Sequence, residues 1–205
     1  MTNLEIYKNN FIQKGTILIP LEENLISISE TKQLENICNN VPKEHIEIGD
    51  AGESNYLEVG RFMTDKDIPK IVNKEFAVPL IEIISKNKIK KIISDILDID
   101  ENEIFYRRIQ FNEIKQNCFV GYHLDTDSNP DYLIACVIQL GKDFEGGLYR
   151  VYQKDKSYID YQPSYGSLII SNCNYPHEVT KVTKGNRGSL VFFISKNKGT
   201  NKRII

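Results

Sequence analysis

The sequence predicts a mainly β fold of the sandwich or jelly-roll barrel class, with α-helices packed on its outside. From residue 104 onward, the chain contains seven short segments that are rich in β-branched and aromatic residues and are separated by turn residues. Before them, residues 81–97 carry apolar side chains at spacings of three and four, which is typical of amphipathic helix, either one or a pair broken near Lys86. Many short strands at close intervals favour a sandwich or barrel over a parallel sheet.

The first half of the chain, residues 1–103, is expected to be a helical and loop portion that covers this core. Residues 16–21 are a predicted strand, and residues 29–39 are a predicted helix that begins with a capping serine. Residues 41–67 contain a proline and three glycines without a clear period, so we expect a loop with short extended pieces at the rim of a binding site.

The seven predicted strands make up the expected core, residues 104–195. The strands cover residues 104–111, 118–124, 132–140, 147–152, 167–171, 178–182 and 187–194. The remaining residues, 196–205, are expected to be a solvated basic tail with Lys196, Lys198, Lys202 and Arg203. A chain of 205 residues with 40% hydrophobic content is sufficient for one domain, residues 1–205.

Composition and charge exclude several classes of function. A net charge of −2 provides no strong field for phosphate backbones, so nucleic acid is not expected as a partner. The four cysteines contain no C-x-x-C pair, which argues against a zinc knuckle or a thioredoxin motif. Because the sequence shows neither a signal peptide nor an apolar run of about 18 residues, we expect no membrane span and a cytoplasmic protein with reduced thiols.

Two histidines and one carboxylate predict a metal site. His123 and Asp125 are two residues apart, so on an extended strand both side chains point to one side. A third ligand from His177 would complete a two-histidine, one-carboxylate triad, which holds Fe(II) and leaves positions open for substrates. His45 is expected to be a surface or structural histidine, because no ligand-type residue lies near it at metal spacing.

Arg187 and Ser189 predict a binding site for a carboxylate. The guanidinium can donate two parallel hydrogen bonds to a carboxylate, and a serine two residues further along the strand would point to the same side. A turn at residues 183–186 is expected to form a hairpin, so that Arg187 runs back beside the strand of His177. A dicarboxylic acid could then bridge the iron and the arginine.

These residues resemble those of the Fe(II)/2-oxoglutarate-dependent dioxygenases, in particular the prolyl-4-hydroxylase-like branch. The resemblance covers residues 104–194 and rests on pieces in the family's order. These are His123-Leu124-Asp125 for H-x-D, Phe144-Glu145-Gly146-Gly147-Leu148 for F-x-G-G-x, His177-Glu178-Val179 with Val182 for H-x-V-x-x-V, and Arg187-Gly188-Ser189 for R-x-S. H-x-D alone is a weak signal, whereas the ordered set is specific.

The sequence departs from the prolyl hydroxylase pattern at two positions. Those enzymes often have a lysine at the position of Arg187 and a tyrosine at the position of Val120. The arginine is common elsewhere in the superfamily, so the departures put proline in doubt as the substrate and leave the cosubstrate unaffected. Gly146 and Gly147 are expected to serve a tight turn or bulge and not to bind phosphate.

The resemblance implies a double-stranded β-helix, a jelly-roll or cupin-like core, with N-terminal helices outside. It implies that His123, Asp125 and His177 bind Fe(II) and are the catalytic group, and that Arg187 and Ser189 bind 2-oxoglutarate. The implied reaction uses O2, releases succinate and hydroxylates an unactivated carbon, with ascorbate as a further candidate cofactor. Because halogenases of this family lack the carboxylate ligand, Asp125 favours hydroxylation.

The substrate is less well defined by the sequence. Tyr106, Arg108 and Gln110 before the metal motif, and Tyr149 after it, are candidate substrate residues, provided that strand alternation turns them inward. Inward polar residues would suit an amino acid, a peptide residue or another small polar metabolite. Peptidyl-prolyl 4-hydroxylation stays open, and so does a non-catalytic cupin-like module that binds a metal or small ligand. The sequence does not indicate the oligomeric state.

Overall fold

The computed structural model describes residues 3–49 and 51–203, which form four α-helices and fourteen β-strands. The helices are α1 (Asn3–Lys14), α2 (Ile28–Asn40), α3 (Lys74–Ile84) and α4 (Asn87–Leu97). The strands are β1 (Thr16–Ile19), β2 (Lys43–Ile48), β3 (Ser54–Thr64), β4 (Lys70–Ile71), β5 (Phe105–Ile114), β6 (Val120–His123), β7 (Ile134–Gln139), β8 (Phe144–Gly146), β9 (Tyr149–Tyr152), β10 (Tyr158–Tyr161), β11 (Leu168–Asn172), β12 (His177–Val179), β13 (Val182–Gly185) and β14 (Arg187–Ser195). Elements of this kind confirm the predicted mainly β class with helices.

The strands form a large sheet, a small sheet and a separate pair, all antiparallel. The large sheet has the order β1-β11-β7-β14-β5-β3-β2, with β4 beside β3. The small sheet has the order β10-β9-β12-β6, and β13 pairs with β8. Antiparallel sheets of this kind expose two different faces to two different environments, and this property positions the site described below.

The four helices pack against one face of the large sheet and bury its main apolar core. Strand alternation turns Phe111, Leu190 and Phe192 toward this layer, where they form one cluster with helix residues such as Leu80 and Ile93. The predicted amphipathic pattern of residues 81–97 is confirmed as the last turn of α3 and the whole of α4, which are separated at Ser85 and Lys86. The helices therefore stiffen the sheet from outside and leave its other face for a cavity.

Helix α2 begins two residues earlier than the sequence predicted. The cap is Ser27 and not Ser29: the Ser27 hydroxyl accepts a hydrogen bond from the Glu30 amide, and the Glu30 carboxylate accepts one from the Ser27 amide. This reciprocal arrangement is a capping box, for which the glutamate must stand three residues after the cap. Ser29 lacks an acidic residue at that spacing, since Lys32 occupies it.

The prediction of a loop for residues 41–67 is wrong. Strands β2 and β3 form a hairpin there, and β3 pairs with β5 along most of its length. The alternation of buried Leu57 and Val59 with more exposed neighbours is a strand pattern, but the surrounding glycines and proline masked it. Helix α1, β8 and β10 were also not predicted, and the predicted strand 178–182 divides into β12 and the start of β13.

The C-terminal segment is anchored by a buried arginine. The charged side chains of Lys196, Lys198, Lys202 and Arg203 are exposed, as expected for a basic tail. However, Arg107 is fully buried and donates hydrogen bonds to the carbonyls of Asn197 and Gly199, each at 2.7 Å. Its other nitrogens pair with the buried carboxylate of Asp65, so the tail closes over a buried ion pair.

None of the helices within the described residues has the length and apolar character needed to cross a lipid bilayer. The four cysteines are free thiols, and three of them, Cys38, Cys136 and Cys173, are buried.

We predict that Arg107→Met lowers the free energy of unfolding by about 3–5 kcal/mol, because it leaves the Asp65 carboxylate buried without its charge partner. Urea denaturation followed by circular dichroism measures this value. As a control, Lys184→Met removes an exposed ion pair with Glu145 and is expected to leave the unfolding midpoint unchanged. Equal midpoints for the two variants would contradict a stabilising role of the buried pair.

Candidate active site

A cavity lies between the inner face of the large sheet and the small sheet. Its polar lining comes from both walls. The polar residues are Arg61, Arg108, Gln110, Asn112, His123, Asp125, Tyr149, His177, Arg187 and Ser189. Aliphatic side chains such as Ile46, Leu57 and Val59 complete the lining at the β2–β3 side. The cavity therefore combines an apolar lining with a set of convergent polar groups, as small-molecule sites do.

The two histidines and the aspartate meet at one end of the small sheet. Strands β6 and β12 pair antiparallel with His123 directly opposite His177, and Asp125 begins the short 3-10 turn that follows β6. The Nε2 atom of His123 lies 3.5 Å from Asp125 Oδ1, and that of His177 lies 3.6 Å from Asp125 Oδ2. One ligand atom from each residue lies within 4.8 Å of the other two, so a single metal ion can contact all three.

Backbone carbonyls orient both imidazole rings. Nδ1 of His123 lies 2.8 Å from the carbonyl oxygen of Gly121, and Nδ1 of His177 lies 3.2 Å from that of Tyr175. Because a carbonyl oxygen only accepts hydrogen bonds, each Nδ1 must carry the proton, which leaves the Nε2 lone pair directed at the cluster. Such a hydrogen bond on the far nitrogen is the usual support for a metal-binding histidine.

The Asp125 carboxylate is buried, and its Oδ2 atom has no hydrogen-bond donor within the described residues. Burial disfavours its charged form, but the electrostatic interactions with His177 and Arg108 and the hydrogen bond with His123 outweigh this effect, so the pKa of Asp125 lies below its ordinary value. A buried, ionised carboxylate without a full set of donors fits a cation. The donor set and its geometry thus fit Fe(II).

Arg187 lies at the start of β14, and its side chain is only 1% exposed. Its Nε atom donates to Oε1 of Gln139 at 3.1 Å, whereas its Nη2 atom is buried without a partner in the described part of the chain. Burial lowers its pKa to about 10, so the guanidinium stays charged at neutral pH. Ser189 is buried two residues further along the same face, and together they offer donors for a carboxylate.

The predicted hairpin between the histidine strand and the arginine strand is wrong. Strand β13 pairs with β8, and β14 lies in the large sheet between β5 and β7. The turn after Gly185 therefore carries the chain from one layer to the other. Arg187 and His177 approach each other across the cavity and not along neighbouring strands.

Gly147 permits the close packing of the β8–β9 connection on the arginine. Gly146 and Gly147 have φ values of 73° and 60°, which confirms the predicted tight turn. A Cβ atom at Gly147 would lie 2.9 Å from Cδ of Arg187, closer than carbon atoms can approach. The glycine in the F-x-G-G-x stretch therefore leaves room for the stem of the guanidinium side chain.

Three of the four predicted substrate residues line the cavity, and Tyr106 does not. The Tyr106 ring packs on Phe192 in the helix-facing layer, and its hydroxyl donates to the carbonyl of Ile84. The cause is a β-bulge: Ile109 stands opposite Phe192 and Tyr106 opposite Ile194, so two residues of β5 face the single Phe193. Strict alternation assigned Tyr106 the same side as Arg108, and the bulge reverses it.

Gln139 is a site residue that the sequence reasoning missed. Its Oε1 accepts from Arg187, and its Nε2 donates to the carbonyls of Gly188 and Gly141 at 2.9 and 3.2 Å. The amide therefore fixes the guanidinium relative to the backbone of its own strand. A buried glutamine at the end of the apolar run Ile-Ala-Cys-Val-Ile was the available signal, since such a polar side chain needs buried partners.

A family model described as the 2OG-Fe(II) oxygenase superfamily matches residues 109–195. An oxidoreductase of the 2OG-Fe(II) oxygenase family from Burkholderia pseudomallei has a solved structure that is 30% identical in sequence, with a TM-score of 0.93 over 99% of this chain and 95% of that chain. The chain belongs to this family. Members of this family are enzymes with the double-stranded β-helix fold, which confirms the predicted fold of the core. The His-Asp-His group of this chain fits the iron that the family's name specifies.

More distant structures share the fold of this oxygenase. A prolyl-4-hydroxylase from Pseudomonas putida is 14% identical, with a TM-score of 0.66 over 95% of this chain and 100% of that chain. A prolyl hydroxylase from Trichoplax adhaerens, solved with a hypoxia inducible factor peptide fragment, is 13% identical, with a TM-score of 0.68 over 94% of this chain and 89% of that chain. A search of curated proteins found no match.

We predict that the oxygenase binds one divalent metal ion per chain and that His123→Ala weakens binding at least about tenfold, because it removes a ligand. Equilibrium dialysis with Fe(II) under argon measures the affinity. His45→Ala is the matched control, since His45 is exposed, packs at a tilt against the Tyr56 ring and is not part of the His-Asp-His group. Equal weakening in the two variants would place the metal elsewhere.

Proposed function

We propose that this oxygenase hydroxylates an unactivated carbon of an amino acid, a peptide residue or another small polar metabolite, and converts 2-oxoglutarate to succinate and carbon dioxide. One observation carries the proposal: the His-Asp-His group and the buried Arg187 face each other across one cavity. A cosubstrate with an oxo acid at one end and a carboxylate at the other end can contact both.

In this proposal, His123, Asp125 and His177 hold the metal by two imidazole nitrogens and one carboxylate oxygen. Fe(II) bound there would supply the activation of O2 that the family's chemistry requires, with ascorbate as a reductant that keeps the metal ferrous. The hydrogen bonds from Nδ1 to Gly121 and Tyr175 fix both rings before the metal arrives. Because Asp125 occupies one ligand position, we propose hydroxylation and not halogenation.

Arg187 and Ser189 bind the far carboxylate of 2-oxoglutarate in this proposal. The unpartnered Nη2 of Arg187 and the Ser189 hydroxyl are the donors, and Gln139 keeps the guanidinium in place. Tyr149 stacks on His177 and has a buried hydroxyl without a partner in the described residues. Burial raises the pKa of Tyr149 well above its ordinary value, so the hydroxyl keeps its proton and can donate to a bound oxygen atom.

The apolar part of the cavity has a separate role. Ile46, Leu57 and Val59 come from the β2–β3 hairpin and line the cavity beside the polar residues of β5 and β14. Their side chains exclude water from the reacting carbon and thereby protect it from competing reactions. The hairpin thus supplies the substrate-facing rim.

Peptidyl-prolyl 4-hydroxylation is the second candidate, because two prolyl hydroxylases share the fold. At 13–14% identity they support the fold alone, and Val120 and Arg187 depart from the prolyl hydroxylase pattern. A non-catalytic metal-binding module is the third. Burying a guanidinium with an unpartnered nitrogen costs free energy, and a module that only binds a metal gains nothing from it, so Arg187 argues against this candidate.

We predict that the purified enzyme forms succinate slowly from 2-oxoglutarate when it is supplied with Fe(II), ascorbate and air. Arg187→Met should raise the KM for 2-oxoglutarate about 100-fold, because loss of one partner of a buried charged pair costs about 3 kcal/mol. Succinate is quantified by mass spectrometry, which also detects a gain of one oxygen in candidate amino acids and peptides. Without succinate formation or 2-oxoglutarate binding, the non-catalytic module would be the better description.

We predict that Gly147→Ala weakens 2-oxoglutarate binding, because its Cβ would displace the Arg187 side chain. Gly52→Ala is the matched control: Gly52 also has a positive φ, at 78°, but a Cβ there meets nothing within 4 Å. Both variants should lose about 1–2 kcal/mol of stability from backbone strain. Only Gly147→Ala should raise the dissociation constant, and an equal rise in both variants would attribute the effect to strain alone.

A further inference from the structure

We infer that the substrate of this oxygenase carries a free carboxylate on an aliphatic body, and that Arg108 binds this carboxylate. The inference rests on the proposed function and narrows it, because an internal residue of a peptide has no free carboxylate at its backbone. Three features of the described residues support it: the direction of the Arg108 side chain, the absence of an ion pair and of a hydrogen bond at its Nε atom, and the charge balance of the cavity.

Strand alternation directs Arg107 and Arg108 to different environments. Arg107 pairs with Asp65 beneath the C-terminal segment, whereas Arg108 lines the cavity together with Gln110, two residues further along β5. Alternation therefore places a second cation in the cavity, on the strand next to that of Arg187.

Arg108 has the fewest partners of the arginines that line the cavity. Arg61 pairs with Glu44 and contacts Gln110, and Arg187 contacts Gln139. The guanidinium of Arg108 lies over the Phe193 ring at 4.6 Å, and its Nε atom is buried without a hydrogen bond. Within residues 3–49 and 51–203, no carboxylate forms an ion pair with it. A half-buried cation held on an aromatic face, with a donor left over, is suited to an anion.

The two cavity arginines are too far apart to bind the same cosubstrate. Arg187 and the position opposite Arg108, Phe193, are six residues apart on β14, which corresponds to roughly 20 Å along the strand. The five-carbon chain of 2-oxoglutarate is much shorter than this. Each side chain is also held near its own end of this span, because Arg108 lies over the Phe193 ring and Nε of Arg187 donates to Gln139.

Charge balance leaves Arg108 as the surplus charge. With Fe(II) and 2-oxoglutarate bound, the two charges of the metal and that of Arg187 balance the Asp125 carboxylate and the two carboxylates of the cosubstrate. The exposed pair of Arg61 and Glu44 is neutral by itself. Burying one uncompensated cation is costly, and a substrate with one negative charge removes that cost.

The aliphatic part of the same cavity wall specifies the rest of the molecule. Ile46, Leu57, Val59 and Val191 line the cavity from strands of the sheet that also carries Arg108. Transfer of an aliphatic body to this wall from water is favourable by the hydrophobic effect. An anionic group at Arg108 then orients this body so that one of its carbons faces the metal group.

The experiment uses two probes, isovalerate and N-acetyl-L-leucine, each compared with its primary amide. Isothermal titration calorimetry under argon, with Fe(II) and 2-oxoglutarate present, gives dissociation constants without turnover. In the wild type we expect each carboxylate to bind at least about tenfold more tightly than its amide, as for a hydrogen bond between charged groups. Arg108→Met should reduce this ratio to about one, and Arg108→Lys should restore part of it.

Two further variants locate the effect. Arg203→Met removes an exposed arginine of the tail and should keep the wild-type ratio. Arg61→Met removes the cavity arginine that is already paired with Glu44, and this variant should keep most of the wild-type preference for the carboxylate over the amide. If Arg108→Met does not fold by circular dichroism, Arg108→Gln replaces it, with the same expected loss.

The inference is overturned if neither carboxylate binds to the wild type, if carboxylate and amide bind equally, or if the preference persists without Arg108 or depends on Arg61. Its failure differs from a failure of the proposed function. Succinate formation without a carboxylate preference rejects only the carboxylate substrate. A preference that depends on Arg108, in an enzyme that forms no succinate, rejects only the oxygenase reaction.

Discussion

The pairing of β6 with β12 is the constraint on which the site depends. It sets His123 opposite His177 in the ladder, so two ligands that are far apart in the sequence are held at the spacing of a residue pair in an antiparallel sheet. The third ligand needs only the short turn that follows β6, because Asp125 is two residues beyond His123. If this register slipped by one residue, His177 would point to the outer face of the small sheet.

The large sheet has two faces with different tasks. One face is covered by helices and buries the main apolar core, in which residues such as Leu190 and Phe192 on β14 are fully buried. The other face carries Arg187 and Ser189 on the same strand. Because side chains of one strand alternate between these faces, the packing that stabilises the sheet also fixes the anion-binding residues. The core therefore preorganises the site, which limits how far Arg187 can move.

The sequence predicted the metal group, the arginine and the class of the fold, because each depends on local order. Three patterns, each within one or two elements, carried these predictions. They are H-x-D at the end of a strand, Arg187 two residues before Ser189, and the periodicity of residues 81–97. Pairing between distant segments was not predictable in the same way. The β2–β3 hairpin lacks a strong local pattern, and β14 follows β13 in the chain but joins a different sheet. Those arrangements are decided by tertiary contacts that no short stretch specifies.

Tyr106 shows how one local irregularity changes the prediction of a site. Period-two alternation is reliable only while the ladder is regular, and one additional residue on β5 reverses the direction of everything before it. The two adjacent arginines that follow Tyr106 lie in different environments. Arg107 satisfies its charge with Asp65 and with carbonyls of the C-terminal segment, so it contributes to stability. Arg108 has no such partner among the described residues and faces the metal group across the cavity, so its charge is available for a substrate.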